Sequence, residues 1–210
     1  MNVINYQKEL DKIIEGLQRD GRRPSLLMHS CCAPCSSYCM EYLTQYFDIT
    51  IYYYNPNITD EEEYRLRVEE QQRLIKEFPG IQFQEGPYDP ESFFEIAKGL
   101  EMVPEGGERC FRCYELRLQQ AVEAAKLGQY DYVTTTLTIS PLKNSKKLNE
   151  IGERLLQDEK TTSWLPSDFK KKNGYKRSTE LSAQYGLYRQ NYCGCIYSKE
   201  ESERRVKEQK

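Results

Sequence analysis

Short apolar runs alternate along this chain with segments of helical spacing, and that alternation limits the fold more than any other feature. Ser25–Ser30 (SLLMHS), Ile49–Tyr54, Ile81–Glu85 and Tyr132–Thr138 read as strands, the second stopped by Asn55-Pro56 and the third entered through Pro79-Gly80. Helices are expected over about 6–18, with Leu10, Ile13, Ile14 and Leu17 on one face, and over about 36–46 after a turn at 31–37. Thr59 and Glu62 have the spacing of a capping box before a charged helix that reaches about Phe78. Asp89-Pro90 opens a helix carrying Phe93, Phe94 and Ala97, since proline suits a first turn. Another helix is expected from about Cys113 to Gly128, one capped by Ser145, and one over about 179–185. A basic loop surrounds Trp164-Leu165-Pro166, and a charged tail closes the chain.

Strands in alternation with helices predict a parallel sheet. The expected architecture is a single α/β domain over 1–210: a Rossmann-like, three-layer fold with a mainly parallel sheet and helices on both faces. The C-terminal helical and loop segment should lie over the strand ends, with about 141–198 as a basic, cysteine-containing part of the site. Functional crevices of such sheets open beyond the C-terminal ends of the strands, and Cys31 and Cys32 end the first one.

No apolar run approaches the ~18–20 residues a membrane span needs, and the first residues lack the basic stretch and apolar core of a signal peptide. A cytoplasmic protein without membrane contact is therefore expected. Its eight cysteines are then better read as metal-binding or redox-active than as a disulfide framework. They fall in three groups: His29-Ser-Cys31-Cys32-Ala-Pro-Cys35-Ser-Ser-Tyr-Cys39, Cys110-Phe-Arg-Cys113 and Cys193-Gly-Cys195. Four thiolates from two separated segments suit tetrahedral zinc or an iron–sulfur cluster. Spacing alone does not choose the ligands: Cys32-Ala-Pro-Cys35 is also a thioredoxin-type pair at a helix N-terminus. A disulfide across Cys193-Gly-Cys195 would be strained and easily reduced, while a second pair of metal ligands is the other reading. The single histidine, His29, reads as a packing or hydrogen-bonding residue before a catalytic one, and Cys39 as a buried thiol.

Net charge is −3, but unevenly spread: residues 60–108 hold 14 acids against 5 bases, and 141–177 hold 10 bases against 5 acids. The basic stretch offers Lys170, Lys171, Lys172 and Lys176 for phosphates, with Trp164, Phe169 and Tyr175 available to stack on unpaired bases. A solvated lysine-rich loop is the plainer alternative.

Five blocks, HSCCAPCSS, ERCFRCYELRL, DYVTTTLTISPLKN, WLPSDFKKKNGYKRS and LYRQNYCGC, together resemble the cobalamin-independent epoxyqueuosine reductase family, QueH, over about Ser25–Ser198. The resemblance implies a cytoplasmic oxidoreductase that deoxygenates the epoxide of epoxyqueuosine at the tRNA wobble position, the last step of queuosine biosynthesis. It implies a [4Fe-4S] cluster on Cys31, Cys32, Cys110 and Cys113, allows an additional iron beside it, and makes Cys193 and Cys195 a redox-active, catalytic pair. Cys35 completes the matching CCAPC block without an assigned role. The partners implied are tRNA carrying epoxyqueuosine and an unidentified electron donor. Two other readings compete: a zinc-stapled RNA-binding module, and an ATP-pyrophosphatase-like tRNA-modifying enzyme. The second would want a glycine-rich SGGxDS-type loop where this chain has SCCAPCSS.

Overall fold

A computed structural model describes residues 4–208. The elements run α1 (Tyr6–Arg19), β1 (Ser25–His29), α2 (Ala33–Leu43), β2 (Asp48–Tyr53), α3 (Glu61–Ile75), β3 (Gln82–Glu85), α4 (Pro90–Ala97) and α5 (Glu108–Leu127). They continue with β4 (Tyr132–Thr135), a 3-10 helix (Thr136–Ile139), α6 (Ser145–Leu155), β5 (Ser163–Trp164), α7 (Gly174–Gln184) and α8 (Ile196–Glu208). The strands form one sheet in the order β3-β2-β1-β4-β5, and every pairing is parallel.

Alternation along β1 divides the core in two. Leu26 and Met28 face α1 and α2, packing with Leu10, Ile14, Met40 and Leu43. Leu27 faces the opposite layer, with Leu118 and Ala121 of α5 and Leu148 and Ile151 of α6. Each fully buried leucine of this set contributes about 1.5–3 kcal/mol from lost contact with water. Helices therefore cover both faces, as a sheet of parallel strands requires. No helix among the described residues is long and apolar enough to cross a membrane.

Several boundaries differ from the sequence expectation, each for a local reason. The second helix begins at Ala33, three residues early, because Pro34 is accommodated in its first turn. Asp60, not Thr59, caps α3 through its side chain on Glu63 N, and Asn144, not Ser145, caps α6. The last expected strand stops at Thr135, whose hydroxyl accepts from Leu137 N and turns the chain into the 3-10 helix. The helix expected from Cys113 starts at Glu108, and so carries both Cys110 and Cys113. The basic loop contains the short edge strand β5, α7 begins at Gly174, and the charged tail is helical as α8.

From β1 the chain first moves outward to β2 and β3, then crosses back to place β4 on the other side of β1. That reversal opens a crevice between the C-terminal ends of β1 and β4. The two ends are tied across it: Cys31 N donates to Thr136 Oγ1 at 3.2 Å.

Candidate metal and redox site

Cys31 and Cys32 occupy the turn between β1 and α2, and Cys35 lies in the first turn of α2. The sulfurs of these three residues lie within 4.8 Å of one another, the one such group of three ligands among the described residues. Cys31 Sγ and Cys32 Sγ are 3.9 Å apart. Two ligands of a tetrahedral centre with metal–sulfur bonds of ~2.3 Å stand about 3.8 Å apart, so an all-sulfur donor set of this spacing fits a thiophilic metal. Adjacent cysteines would point apart in a strand, and it is the turn into α2 that lets both face the same space.

One negative charge settles on Cys31. Thiol donation from Cys32 and Cys35, with Arg117 and Lys143 nearby, holds Cys31 well below the ordinary cysteine range. Sharing its proton with Cys31 pushes Cys32 up to about 12, and Cys35 is raised for the same reason. The Thr136 hydroxyl donates to Cys31 Sγ at 3.4 Å.

A second, smaller cavity adjoins this trio. Cys110, Cys113, Cys193 and Cys195 line it together with Asn57 and Lys143. Cys193 and Lys143 also line the main crevice with Cys31, Cys32 and Cys35, so one thiol and one amine border both spaces. The main crevice has a volume of about 270 Å³. Burial pushes Cys113 and Cys195 up to about 12, and raises Cys110. Gly106 N donates to Cys110 Sγ and Ser198 N to Cys195 Sγ, both at 3.3 Å. All eight cysteines are free thiols.

The Cys193-Gly194-Cys195 loop is held in place from the sheet side. Arg67 and Asn57 donate to the Cys193 carbonyl at 3.3 and 3.4 Å, and the Cys193 N–H donates to Ser198 Oγ at 2.7 Å. Gly194 has φ +119°, and a side chain there would meet Ile58, Arg67 and Asn57. Arg67 is itself fixed by Glu63 at 2.7 Å and stacks on Tyr192 at 5.2 Å.

The three cysteine groups thus gather at one end of the sheet, although some 80 and 160 residues separate them from the first group. Of the four cysteines expected to share a cluster, Cys31 and Cys32 belong to the close sulfur group, whose third member is Cys35, a residue the sequence left without a role; Cys110 and Cys113 line the adjoining cavity instead. Cys39 donates to the Cys35 carbonyl at 3.4 Å and is fully buried, the packing role expected. His29 is buried with both ring nitrogens engaged, Nδ1 with Thr135 Oγ1 at 2.8 Å and Nε2 with the Tyr54 carbonyl at 3.1 Å. Burial and the Arg117 charge push its pKa down to about 3, so it stays neutral and structural.

Sequence reasoning missed the buried Arg117 and the placing of the half-buried Lys143 beside the cysteines. Arg117 lies one helical turn beyond Cys113 on α5, a relation that becomes visible once that helix is started early enough. Lys143, after the 3-10 helix, was read from the sequence only as the start of the basic stretch. Burial works against its ammonium, but Cys193, Tyr114, Cys31 and Cys35 outweigh that and hold its pKa above the ordinary value.

The expected stacking residues need correction. Trp164 and Phe169 are core side chains, 7% and 0% exposed, because β5 and its following loop pack onto the sheet layers. Tyr175 is 42% exposed and lines the crevice mouth. Lys170 is paired with Asp168 at 3.0 Å and Lys172 with Asp11 at 2.7 Å, whereas Lys171 and Lys176 face solvent.

Comparison with known proteins identifies the family. Residues 26–201 match the family described as Epoxyqueuosine reductase QueH. A protein of that name from Staphylococcus epidermidis is 46% identical over 93% of this chain and 84% of its own. One from Streptococcus pyogenes is 46% identical over 93% of this chain and 78% of its own. One from Thermotoga maritima is 31% identical over 83% of this chain and 90% of its own. With the match running from β1 into α8, and so through all three cysteine groups, the chain belongs to the epoxyqueuosine reductase QueH family.

Proposed function

We propose that this protein reduces the epoxide of epoxyqueuosine, at the wobble position of a tRNA anticodon, to the cyclopentene of queuosine with release of water. The observation that supports it is the placing of Cys31, Cys32 and Cys193 on one crevice and of Cys110, Cys113, Cys193 and Cys195 on the cavity that adjoins it, at the β1 and β4 ends of a QueH-family chain. Removing the oxygen as water consumes two electrons and two protons. Conversion of a Cys193–Cys195 dithiol to a disulfide releases two electrons and two protons, and an external electron donor restores it.

Cys31, Cys32, Cys110 and Cys113 would hold a [4Fe-4S] cluster, with Cys35 positioned to hold a further iron or share in the set. Such a group, when bound, supplies one-electron transfer and a Lewis acid. Lys143 borders both cavities and brings a cationic donor to the crevice where negative charge develops on the leaving oxygen. Arg67 and Asn57 hold the Cys193 carbonyl, fixing the pair against the crevice. Residues 141–198 supply the basic part of the site within one α/β domain: Lys171 and Lys176 meet phosphates, and Tyr175 stacks on a base beside the mouth. A tRNA substrate places the protein in the cytoplasm.

The test is anaerobic incubation of iron-loaded protein and a low-potential reductant with tRNA carrying epoxyqueuosine, followed by nucleoside mass spectrometry. A nucleoside lighter by one oxygen atom is expected. Unchanged epoxyqueuosine from iron-loaded protein contradicts the proposal.

A further inference from the structure

Three arginines are nearly inaccessible among the described residues, and two are committed. Arg67 binds Glu63 and the Cys193 carbonyl. Arg109 donates to the carbonyls of Leu100, Glu101 and Val103. Arg117 is different. It is 1% exposed, and its one hydrogen-bond acceptor among the described residues is the neutral amide of Asn55. Its Nε and Nη1 have no hydrogen-bond partner among the described residues. The ionisable groups whose charges act on it most strongly are Cys113, one helical turn away, Cys193 and Cys31, one from each cysteine segment. Asn55 in turn donates to the Ser30 carbonyl at 2.9 Å, one residue before Cys31, so the guanidinium is held between α5 and the end of β1.

A buried cation without a carboxylate is costly, by several kcal/mol after relaxation. The fold retains one here, with two unpartnered donor nitrogens beside cysteines that ionise when they bind metal. We infer that Arg117 is a positioning residue that supplies the built-in counter-charge to the thiolate-held iron centre and makes that centre easier to reduce. Lower net negative charge and N–H groups near the sulfurs both stabilise the reduced form. The inference rests on the reading that these cysteines hold iron.

Two variants test it from opposite directions. Arg117→Gln removes the charge, and Asn55→Asp neutralises it while leaving the arginine in place. Each is loaded with iron anaerobically and titrated for its midpoint potential, and its unfolding temperature is measured loaded and metal-free. Both should show the reduction equilibrium constant lowered tenfold or more, about 59 mV for one electron. The gain in unfolding temperature on iron loading should shrink in Arg117→Gln, because the metal-free form loses a cation balanced by the Cys31 thiolate alone, whereas the iron-loaded form loses one that faces several thiolates. A wild-type potential in either iron-loaded variant overturns the inference. So does an equal fall in unfolding temperature with and without iron, which would make Arg117 a packing residue. If neither variant holds iron, metal-free Arg117→Gln at least as stable as metal-free wild type supports the inference, and a less stable one overturns it. Wild-type protein that takes up no iron refutes the reading of the cysteines on which the inference stands.

Discussion

Gly194→Ala is a one-methyl perturbation whose consequences are local. At φ +119° a side-chain-bearing residue is strained by about 1–3 kcal/mol. The added carbon would also lie 2.8 Å from Ile58 Cγ1, 3.1 Å from Arg67 Nη1 and 3.3 Å from Asn57 Nδ2. Ile58 is 1% exposed and Arg67 2%, so neither has room to give, and the loop itself must lift. Lifting it forfeits the Arg67 and Asn57 bonds to the Cys193 carbonyl, about 1 kcal/mol each. The docked loop is therefore disfavoured by about 3–5 kcal/mol relative to wild type, a hundredfold or more in the balance between docked and lifted forms. Queuosine formation should fall by up to about that factor. Iron content should hold, since Cys31, Cys32, Cys35, Cys110 and Cys113 lie on other elements. The assay is nucleoside mass spectrometry under single-turnover conditions, with iron and unfolding temperature measured on the same preparation. Wild-type turnover from folded, iron-loaded Gly194→Ala would refute the claim that the position of the Cys193–Cys195 loop governs the reaction.

Lys143→Met should lower the single-turnover rate by about 10²–10³ while iron content stays unchanged, the usual loss when one charge-stabilising donor is removed. Replacing Lys171 and Lys176 together by Gln should weaken tRNA binding and flatten its log–log salt dependence by about 0.7–0.9 per lost contact. Replacing the paired Lys170 and Lys172 should flatten it less. Asp131→Asn should cost about 1 kcal/mol at neutral pH, because the carboxylate accepts from Ser25 N at 2.8 Å and Ser25 Oγ at 2.7 Å. Those bonds lower its pKa, so the difference from wild type in urea unfolding should be full above the ordinary carboxylate value of about 3.9 and vanish as pH falls through the lowered folded value.

The sheet was legible because its apolar runs are bounded by strong punctuation: Asn55-Pro56 after β2, Pro79-Gly80 before β3 and Gly128 after α5. The crevice at Cys31 followed from that alternation alone. The helix start at Glu108 was hidden because Gly107 caps α5 by its backbone, leaving no side-chain signal. Trp164 and Phe169 looked like loop aromatics because a two-residue edge strand is too short to show a period. Arg117 was invisible for a deeper reason. Charge reads as surface in a sequence, and only the packing of α5 against the β1 and β2 ends makes Arg117 the exception.

The central claim is that cysteines from separate segments hold iron, while Cys193 and Cys195 stand beside it as a redox pair. The most direct measurement is the visible spectrum, with iron and sulfide content, of anaerobically prepared wild type, Cys31→Ser, Cys113→Ser and Cys193→Ser. Broad absorption near ~400 nm with iron and sulfide in the wild type, lost in Cys31→Ser and Cys113→Ser and kept in Cys193→Ser, is the predicted result. A colourless wild type with stoichiometric zinc, or loss of iron from Cys193→Ser, would contradict it.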